Sequence, residues 1–577
     1  MESKKFRNRK LLEYAWKVRG LIISGLFITV VSSLTELLGP YIISKILDGA
    51  LVEGKGAEDY KYFLTLVLAY FASMMVVVIV RYLMSLNFGK LSNLLATIIR
   101  KDVFEHVMSL PVKFFDKYAV GKISNRITND TQDIRLLFQI VFMDIFTTLV
   151  LALGLIVGLF LVNVKLGLLT LISLPFAYVI FKDYIGKSNR FNSDFRRYRS
   201  EMNGNINETI ETMEVVQAFN NEDYIYDQFS DLNDKVYAEN KKLALLWSYS
   251  SGTATRSLGD MILAIATTYF MFSHLGGSSF FTVGSLYIFI EYNRKLYQYI
   301  NQMNDRIEEL EKAKSAADQV FEFLRQTPQD VGSQAPADIE GNIRFDHVTF
   351  AYNDEEYVLN NIDLEINKGQ SAAFVGHTGS GKSTIMNLIY GFYKVNKGHI
   401  YIDGQDIQDL NMEAVRKNMA IVFQNPYIFE GSIYENITLF DKSISKSEAE
   451  LALISVGGEN ILAKDKGIDH HIREGGKDFS AGEKQLISFA RAMVRNPKIL
   501  VLDEATANVD SQTENYIQFG VNRLKKGRTT LIIAHRLSTI KDVDKIYVLD
   551  QGSIIEEGDH DQLIAKGGVY AHMYLES

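Results

Sequence analysis

The sequence predicts two unlike halves: an α-helical, six-span membrane domain with long cytoplasmic helical extensions, then an α/β domain of the P-loop type. Three observations carry this. The first half holds six long apolar runs separated by polar stretches, and about 20 mostly apolar residues suffice to cross a bilayer as a helix. The second half alternates short β-rich runs with helical segments, the pattern of an α/β domain. Within it, the apolar run Ser371–Val375 leads into GHTGSGKS at 376–383 and then TIMNLIYGFY, the strand, loop and helix that a phosphate-binding loop requires.

Composition fits a chain of two characters. The 577 residues exceed one folding unit, and 47% are hydrophobic although the mean hydropathy is +0.00. With no cysteine, a disulfide scaffold, a thiol nucleophile and a sulfur-ligated zinc site are excluded. A net charge of -8 argues against nucleic acid as a partner, because binding its phosphates takes clustered excess Lys and Arg.

The spans are read at 21–47, 62–86, 134–162, 166–185, 246–272 and 280–303. The first is too long for a cleavable signal and lacks a small-residue cleavage site. Lys4, Lys5, Arg7, Arg9, Lys10, Lys17 and Arg19 precede it, whereas the short loops after spans one, three and five hold Lys55, Lys165 and no basic residue. That asymmetry puts the N-terminus in the cytoplasm, and six crossings return the chain there, so a cell (cytoplasmic or inner) membrane protein with a cytoplasmic α/β half is expected. The connections 87–133 and 186–245 keep helical spacing, as in Leu91, Leu94, Leu95, Ile98 and Ile99, and so continue as helices beyond the bilayer. Pro111 and FFDKYAVG at 114–121 break the first of them. The expected domains are 1–325, a Pro- and Gly-bearing linker at 326–340, and 341–577.

In the loop, the glycines let backbone N–H groups wrap phosphates, and the following helix adds its positive end. Lys382 neutralises the β and γ phosphates, and the Ser383 hydroxyl can bind Mg²⁺. A second apolar strand ends in two carboxylates, ILVLDE at 499–504. Asp503 is placed to hold Mg²⁺, and Glu504 to polarise an attacking water as general base.

At this point the chain resembles the ATP-binding cassette (ABC) family, specifically the half-size exporter with a membrane domain fused ahead of one nucleotide-binding domain. The resemblance covers nearly the whole chain. Its motifs fall in order: Tyr352, the phosphate loop, Gln424 in IVFQNP, FSAGEKQ at 479–485, the acidic strand, ANVD ending at Asp510, and His535 in IIAHRLS. It implies ATP and Mg²⁺ as cofactors. Gly376, His377, Thr378, Gly379, Ser380, Gly381, Lys382, Ser383 and Thr384 would bind the phosphates, and Tyr352 would stack on adenine. Ser383, Gln424 and Asp503 would hold the metal, and Glu504, His535 and Gln424 would serve hydrolysis. Ser480, Gly482 and Asp510 would contact the nucleotide across a dimer. Ala481 and Glu483 depart from the usual LSGGQ signature, which leaves open a weakened site in a heterodimer.

The resemblance further implies a dimer, since each ATP lies between the phosphate loop of one chain and the signature of another. A homodimer is expected, with a heterodimer of two half-transporters as the alternative. Segments 115–121 and 211–219 resemble coupling helices. The expected function is ATP-driven export of a small amphipathic cargo, a drug, lipid or mature peptide, by alternating access. An ATP-gated channel or a siderophore-type importer on the same scaffold is the alternative. With no cysteine and a start close to span one, a leader-trimming protease is not expected. Glu36 and Asp144 lie inside spans without a partner one helical turn away, which suggests a cavity for cationic or zwitterionic cargo, and Glu291 is read as pairing with Lys295. Tyr287, Tyr292, Tyr297 and Tyr299 are read as packing residues or stacking surfaces.

Overall fold

The computed structural model describes residues 2–52, 57–251, 253–275, 282–330, 332–353, 356–503, 511–534 and 540–576. Two compact units emerge: Met1–Ser109 with Tyr118–Thr327, and Leu110–Lys117 with Pro328–Ser577.

In the first unit every described element is a helix. Its elements are α1 (Glu2–Lys17), α2 (Arg19–Val52) and α3 (Ala57–Met108), then, after α4 (Val112–Lys117) of the other unit, α5 (Val120–Asn125), α6 (Thr131–Gln139) and α7 (Thr147–Val162). There follow α8 (Val164–Glu211), α9 (Met213–Ala218), α10 (Glu222–Leu246), α11 (Ala254–Leu275) and α12 (Val283–Leu324). Among the described residues, the four stretches Arg19–Gly49, Tyr60–Met108, Val120–Val162 and Val164–Glu211 are long and apolar enough to cross a membrane. The positions read as spans five and six are occupied by α11 and α12, the latter carrying Glu291, Arg294 and Lys295 along its apolar stretch. The predicted start of span six at 280 lies outside the described residues. The third stretch is interrupted by π-helical turns at Arg126–Asp130 and Ile140–Phe146, the second of which carries Asp144.

Leu155, Leu159, Leu166, Ala177, Ile262, Ala266, Phe289, Tyr292 and Tyr297 knit α7, α8, α11 and α12 into one core. Where α7 meets α12, a Cβ added to Gly158 would lie 2.7 Å from the Tyr292 ring, so only glycine admits this approach. Tyr292 donates to the Leu37 carbonyl at 2.8 Å and Tyr297 to Ser173 Oγ at 2.7 Å. These two tyrosines are packing residues.

The second unit has two main sheets. A four-stranded antiparallel sheet contains β1 (Ile343–Phe350), β2 (Leu359–Ile366), β4 (Lys397–Ile402) and β5 (Gln405–Asp406) in the order β2-β1-β4-β5. The six-stranded sheet runs β12-β11-β3-β10-β9-β6, from β3 (Ser371–Val375), β6 (Met419–Val422), β9 (Ile499–Asp503), β10 (Thr529–Ile533), β11 (Lys545–Asp550) and β12 (Ser553–Gly558). Only its edge strand β12 is antiparallel. A small pair joins β7 (Gly431–Ser432) and β8 (His471–Ile472).

The central strands are buried on both faces, hence their unbroken apolar runs. Ala372 and Phe374 of β3 point into one core, between the sheets and against α13 (Lys382–Ile389), while Ala373 and Val375 point into another. That second core is filled by α15 (Ile433–Thr438), α16 (Lys446–Ser455), α18 (Ala481–Val494) and α19 (Ser511–Lys525), after the short α14 (Met412–Arg416) and α17 (Glu459–Leu462). The chain closes with α20 (His560–Lys566) and α21 (Val569–Glu576). Part of the stretch read as a linker is anchored to this unit. The Asn411 N–H donates to the Gln334 carbonyl at 2.7 Å, and the Asp403 carboxylate accepts from the N–H groups of Glu340 at 2.8 Å and Asn342 at 2.8 Å.

Candidate active site

The loop after β3 turns through Gly376 (φ 150°), Gly379 (φ 87°) and Gly381 (φ 103°), backbone settings that glycine takes without strain. A Cβ on Gly376 would also lie 2.2 Å from the Leu549 carbonyl oxygen. His377, Thr378 and Gly379 form the exposed crest, and Lys382 and Ser380 are buried beneath it. Lys382 Nζ donates to the carbonyls of Gly376 at 2.8 Å and His377 at 2.9 Å, so the ammonium pins the loop from within. Among the described residues Ser380 Oγ is buried without a hydrogen-bond partner. A buried, unsatisfied hydroxyl beside a helix N-terminus and an ammonium fits a phosphate ligand.

Strand register gathers the remaining groups. Ile533 of β10 is paired with both Phe374 of β3 and Asp503 of β9, so Asp503 stands two strands from the loop, roughly 10 Å at normal strand spacing. Val422 of β6 pairs with Leu502, which brings Gln424 to the same edge two residues beyond the strand. All lie at the carboxyl ends of parallel strands, where open α/β sheets bind ligands. The hydroxyl of Ser383, the amide of Gln424 and the carboxylate of Asp503 offer oxygen donors, which suit Mg²⁺. Glu504, Asp510 and His535 lie outside the described residues.

Tyr352 is fixed beside the loop by its hydroxyl, which donates to Thr384 Oγ1 at 3.2 Å and accepts from Asn387 Nδ2 at 3.1 Å. Phe350 and Tyr393 hold its ring edge-on, with centroids at 4.9 and 5.0 Å. Tyr393 in turn donates to Asp116 of α4. Asn387 and Tyr393 belong to no motif and were not legible as site neighbours.

The signature forms the start of α18. Phe479 is buried, Ser480 is the N-cap, and Gly482 lies buried in the first turn. Glu483 N–H donates to Ser480 Oγ at 3.2 Å while Glu483 Oε2 accepts from Ser480 N–H at 2.8 Å, a closed capping box. Burial raises the Glu483 carboxyl, but the Ser480 N–H and Lys464 outweigh it and hold it below the ordinary carboxylate range. Further along α18, Arg491 donates to the carbonyls of Asn436 at 2.6 Å and Tyr427 at 2.7 Å and to Asn436 Oδ1 at 2.8 Å. Burial lowers its pKa to about 10. This guanidinium ties the segment after Gln424 to the signature helix.

The two halves each match a known family. Residues 21–299 match the ABC transporter transmembrane region and residues 359–507 the ABC transporter family. The chain is 38% identical over 477 residues, 82% of its length and 71% of the relative's, to the probable multidrug resistance ABC transporter ATP-binding/permease protein YheH of Bacillus subtilis (strain 168). The chain belongs to the ABC transporter family. It is also 31% identical to the multidrug resistance-like ATP-binding protein MdlB of Buchnera aphidicola subsp. Schizaphis graminum, over 98% of this chain and 97% of that protein. A solved bacterial Atm1-family ABC exporter with ATP bound superposes with a TM-score of 0.82 at 25% identity, covering 97% of this chain and 98% of that one. This ABC transporter is therefore a multi-pass membrane protein that binds nucleotide and couples ATP hydrolysis to export.

Proposed function

We propose that the protein is a homodimeric exporter of amphipathic molecules with a zwitterionic or neutral headgroup, working by alternating access in the cytoplasmic membrane. The observation that carries the cargo class is a cavity of about 550 Å³ in the membrane unit, with Glu36, Arg81, Asp144 and Arg306 in its wall. Sequence spacing left Glu36 and Asp144 without partners; their partners come from other helices. Arg81 lies 2.6 Å from Glu36, and Arg306 lies 3.1 Å from Asp144 and 2.8 Å from Glu309, so the wall carries ion-paired groups of both signs rather than two bare carboxylates. Lys295 reaches Glu36 at 3.8 Å, and Glu291 pairs with Arg294 at 3.0 Å in place of the expected Lys295. Tyr299 also donates to Glu36 at 2.9 Å. Met84, Met143 and Met303 add soft, adaptable apolar surface. A ligand bearing both charges can exchange partners with these pairs, whereas a pure cation must displace an arginine. Drugs, lipids and mature peptides with such headgroups fall within this class.

Dimerisation is supported by the separation of roles along the chain. Each chain carries one phosphate loop and one signature, and α9 bears Val215 and, just beyond it, Phe219 exposed in a polar stretch, an apolar surface suited to docking on a second copy. In the closed dimer the loop residues Gly376 to Thr384 hold the phosphates, with Ser480, Gly482 and Asp510 of the facing copy completing the site. Tyr352 supports the adenine. Bound Mg²⁺ supplies positive charge against the β and γ phosphates, held by Ser383, Gln424 and Asp503. Glu504 accepts the proton of the attacking water, with His535 and Gln424 orienting it.

The test is ATPase stimulation and vesicle transport by this chain purified alone, across cationic, zwitterionic and anionic amphiphiles. Stimulation and transport confined to zwitterionic and neutral members are expected. Inactivity of the chain alone refutes the homodimer, and equal response to simple cations refutes the cargo class. A Glu504→Gln variant should bind ATP and stall; parental turnover would remove Glu504 from catalysis.

A further inference from the structure

The signature's departure from LSGGQ raises an electrostatic difficulty. Glu483 sits in the first turn of α18, where the helix end offers a partial positive charge that attracts phosphate. An uncompensated carboxylate there cancels the attraction. Glutamine closes the same capping box without the charge, so the glutamate needs an answer from elsewhere in the fold.

Lys464 supplies it. Its Nζ lies 3.0 Å from Glu483 Oε1 and 4.3 Å from the centre of the Phe479 ring, so it links the first turn of α18 to the residue just before its N-cap. Both ends are rooted in the core: the Lys464 N–H donates to the carbonyl of buried Ile461 at 3.3 Å, and Phe479 is buried. The neighbouring charges are engaged in other directions. Arg473 faces Asp478 at 3.9 Å, and Lys484 Nζ donates to the Gly475 carbonyl at 3.0 Å.

We infer that Lys464 is a positioning residue of the ATP site: by neutralising Glu483 it keeps the start of α18 attractive to the phosphates of the nucleotide held by the facing copy. The inference rests on the proposed reading in which the signature completes that site. Lys464 acts through Glu483 and touches no nucleotide. The glutamate and the lysine form one unit, and the FSAGE signature is competent because of a residue that no motif contains.

The experiment is steady-state ATPase of the full-length protein in lipid nanodiscs, over a range of ATP and salt concentrations. Lys464→Met should raise KM for ATP roughly three- to tenfold, the effect of one uncompensated charge near a phosphate in a partly solvated site. The rise should shrink with added salt. Glu483→Gln in the same background should restore the parental KM, and Lys464→Arg should keep it. A parental KM in Lys464→Met overturns the inference. So does a rise that Glu483→Gln fails to restore, or a loss confined to kcat with a lowered melting temperature, which marks a structural role. Gly482→Asp separates the two levels: if it abolishes ATPase while Lys464→Met is silent, the signature reading stands and only the role of Lys464 falls. If Gly482→Asp keeps parental ATPase, the signature reading itself fails, and the inference with it.

Discussion

Replacing Arg491 by methionine removes the guanidinium that joins the signature helix to the segment beyond Gln424, while keeping an apolar stem beside the Phe429 ring, now 5.8 Å from the guanidinium. Three charged hydrogen bonds are lost, to the Asn436 and Tyr427 carbonyls and to Asn436 Oδ1. Such bonds contribute about 1.5–3 kcal/mol each. Against that stands the cost of burying the charge, which lowers the guanidinium pKa to about 10 and offsets part of the gain. The balance leaves a net loss of about 3 kcal/mol, because the abandoned carbonyls are only partly rehydrated. In a unit of this size that lowers the melting temperature by roughly 6–12 °C. Differential scanning calorimetry of the full-length protein in detergent reads this on the transition of the nucleotide-binding half, and ATPase activity should fall in parallel. Arg491→Lys should recover part of the loss, since one ammonium cannot reach all three acceptors. An Arg491→Met protein that melts with the parent would refute the claim that this network holds the two segments together.

Three further outcomes are expected. Lys382→Ala removes both the internal pin of the loop and its charge toward phosphate, so an equilibrium ATP titration should show at least about tenfold weaker binding. Burial raises the Asp403 carboxyl, but the N–H groups of Asn342, Gly341 and Glu340 outweigh it and lower its pKa, so its contribution is present above the unfolded value and lost as pH falls through the folded one. The stability gap between parent and Asp403→Asn should therefore be full at neutral pH and close below roughly pH 4, as followed by thermal melts in circular dichroism. In the cavity, Arg306→Met releases Asp144 from its partner; stimulation of ATPase should shift toward cationic amphiphiles, and an unchanged profile would count against the ion-pair reading.

Much of the site was legible because phosphate chemistry imposes contiguous motifs. The strand Ser371–Val375, the turn through Gly376 and Gly381, and the strand ending at Asp503 appear where the sequence placed them, since glycine spacing and unbroken apolar runs are local signals. Partners distant in sequence were not legible. Arg81 and Arg306 reach Glu36 and Asp144 across helices, and a helical-turn rule sees only neighbours three or four residues away. Tyr292 and Tyr297 showed the converse: a run of tyrosines open to a stacking role is committed to Leu37, Ser173 and the helix core.

The amino-acid order by itself determined that this is a membrane helix bundle joined to an ABC ATPase, and where the glycine-rich loop turns after its strand, because span length and backbone conformation at glycine are properties of short segments. Only the tertiary structure decided how the charges are balanced. Whether Glu483 stands alone or is paired with Lys464, and whether Glu36 is a bare anion or half of an ion pair, depends on groups brought together by packing, and Coulomb attraction follows distance in space, not in sequence.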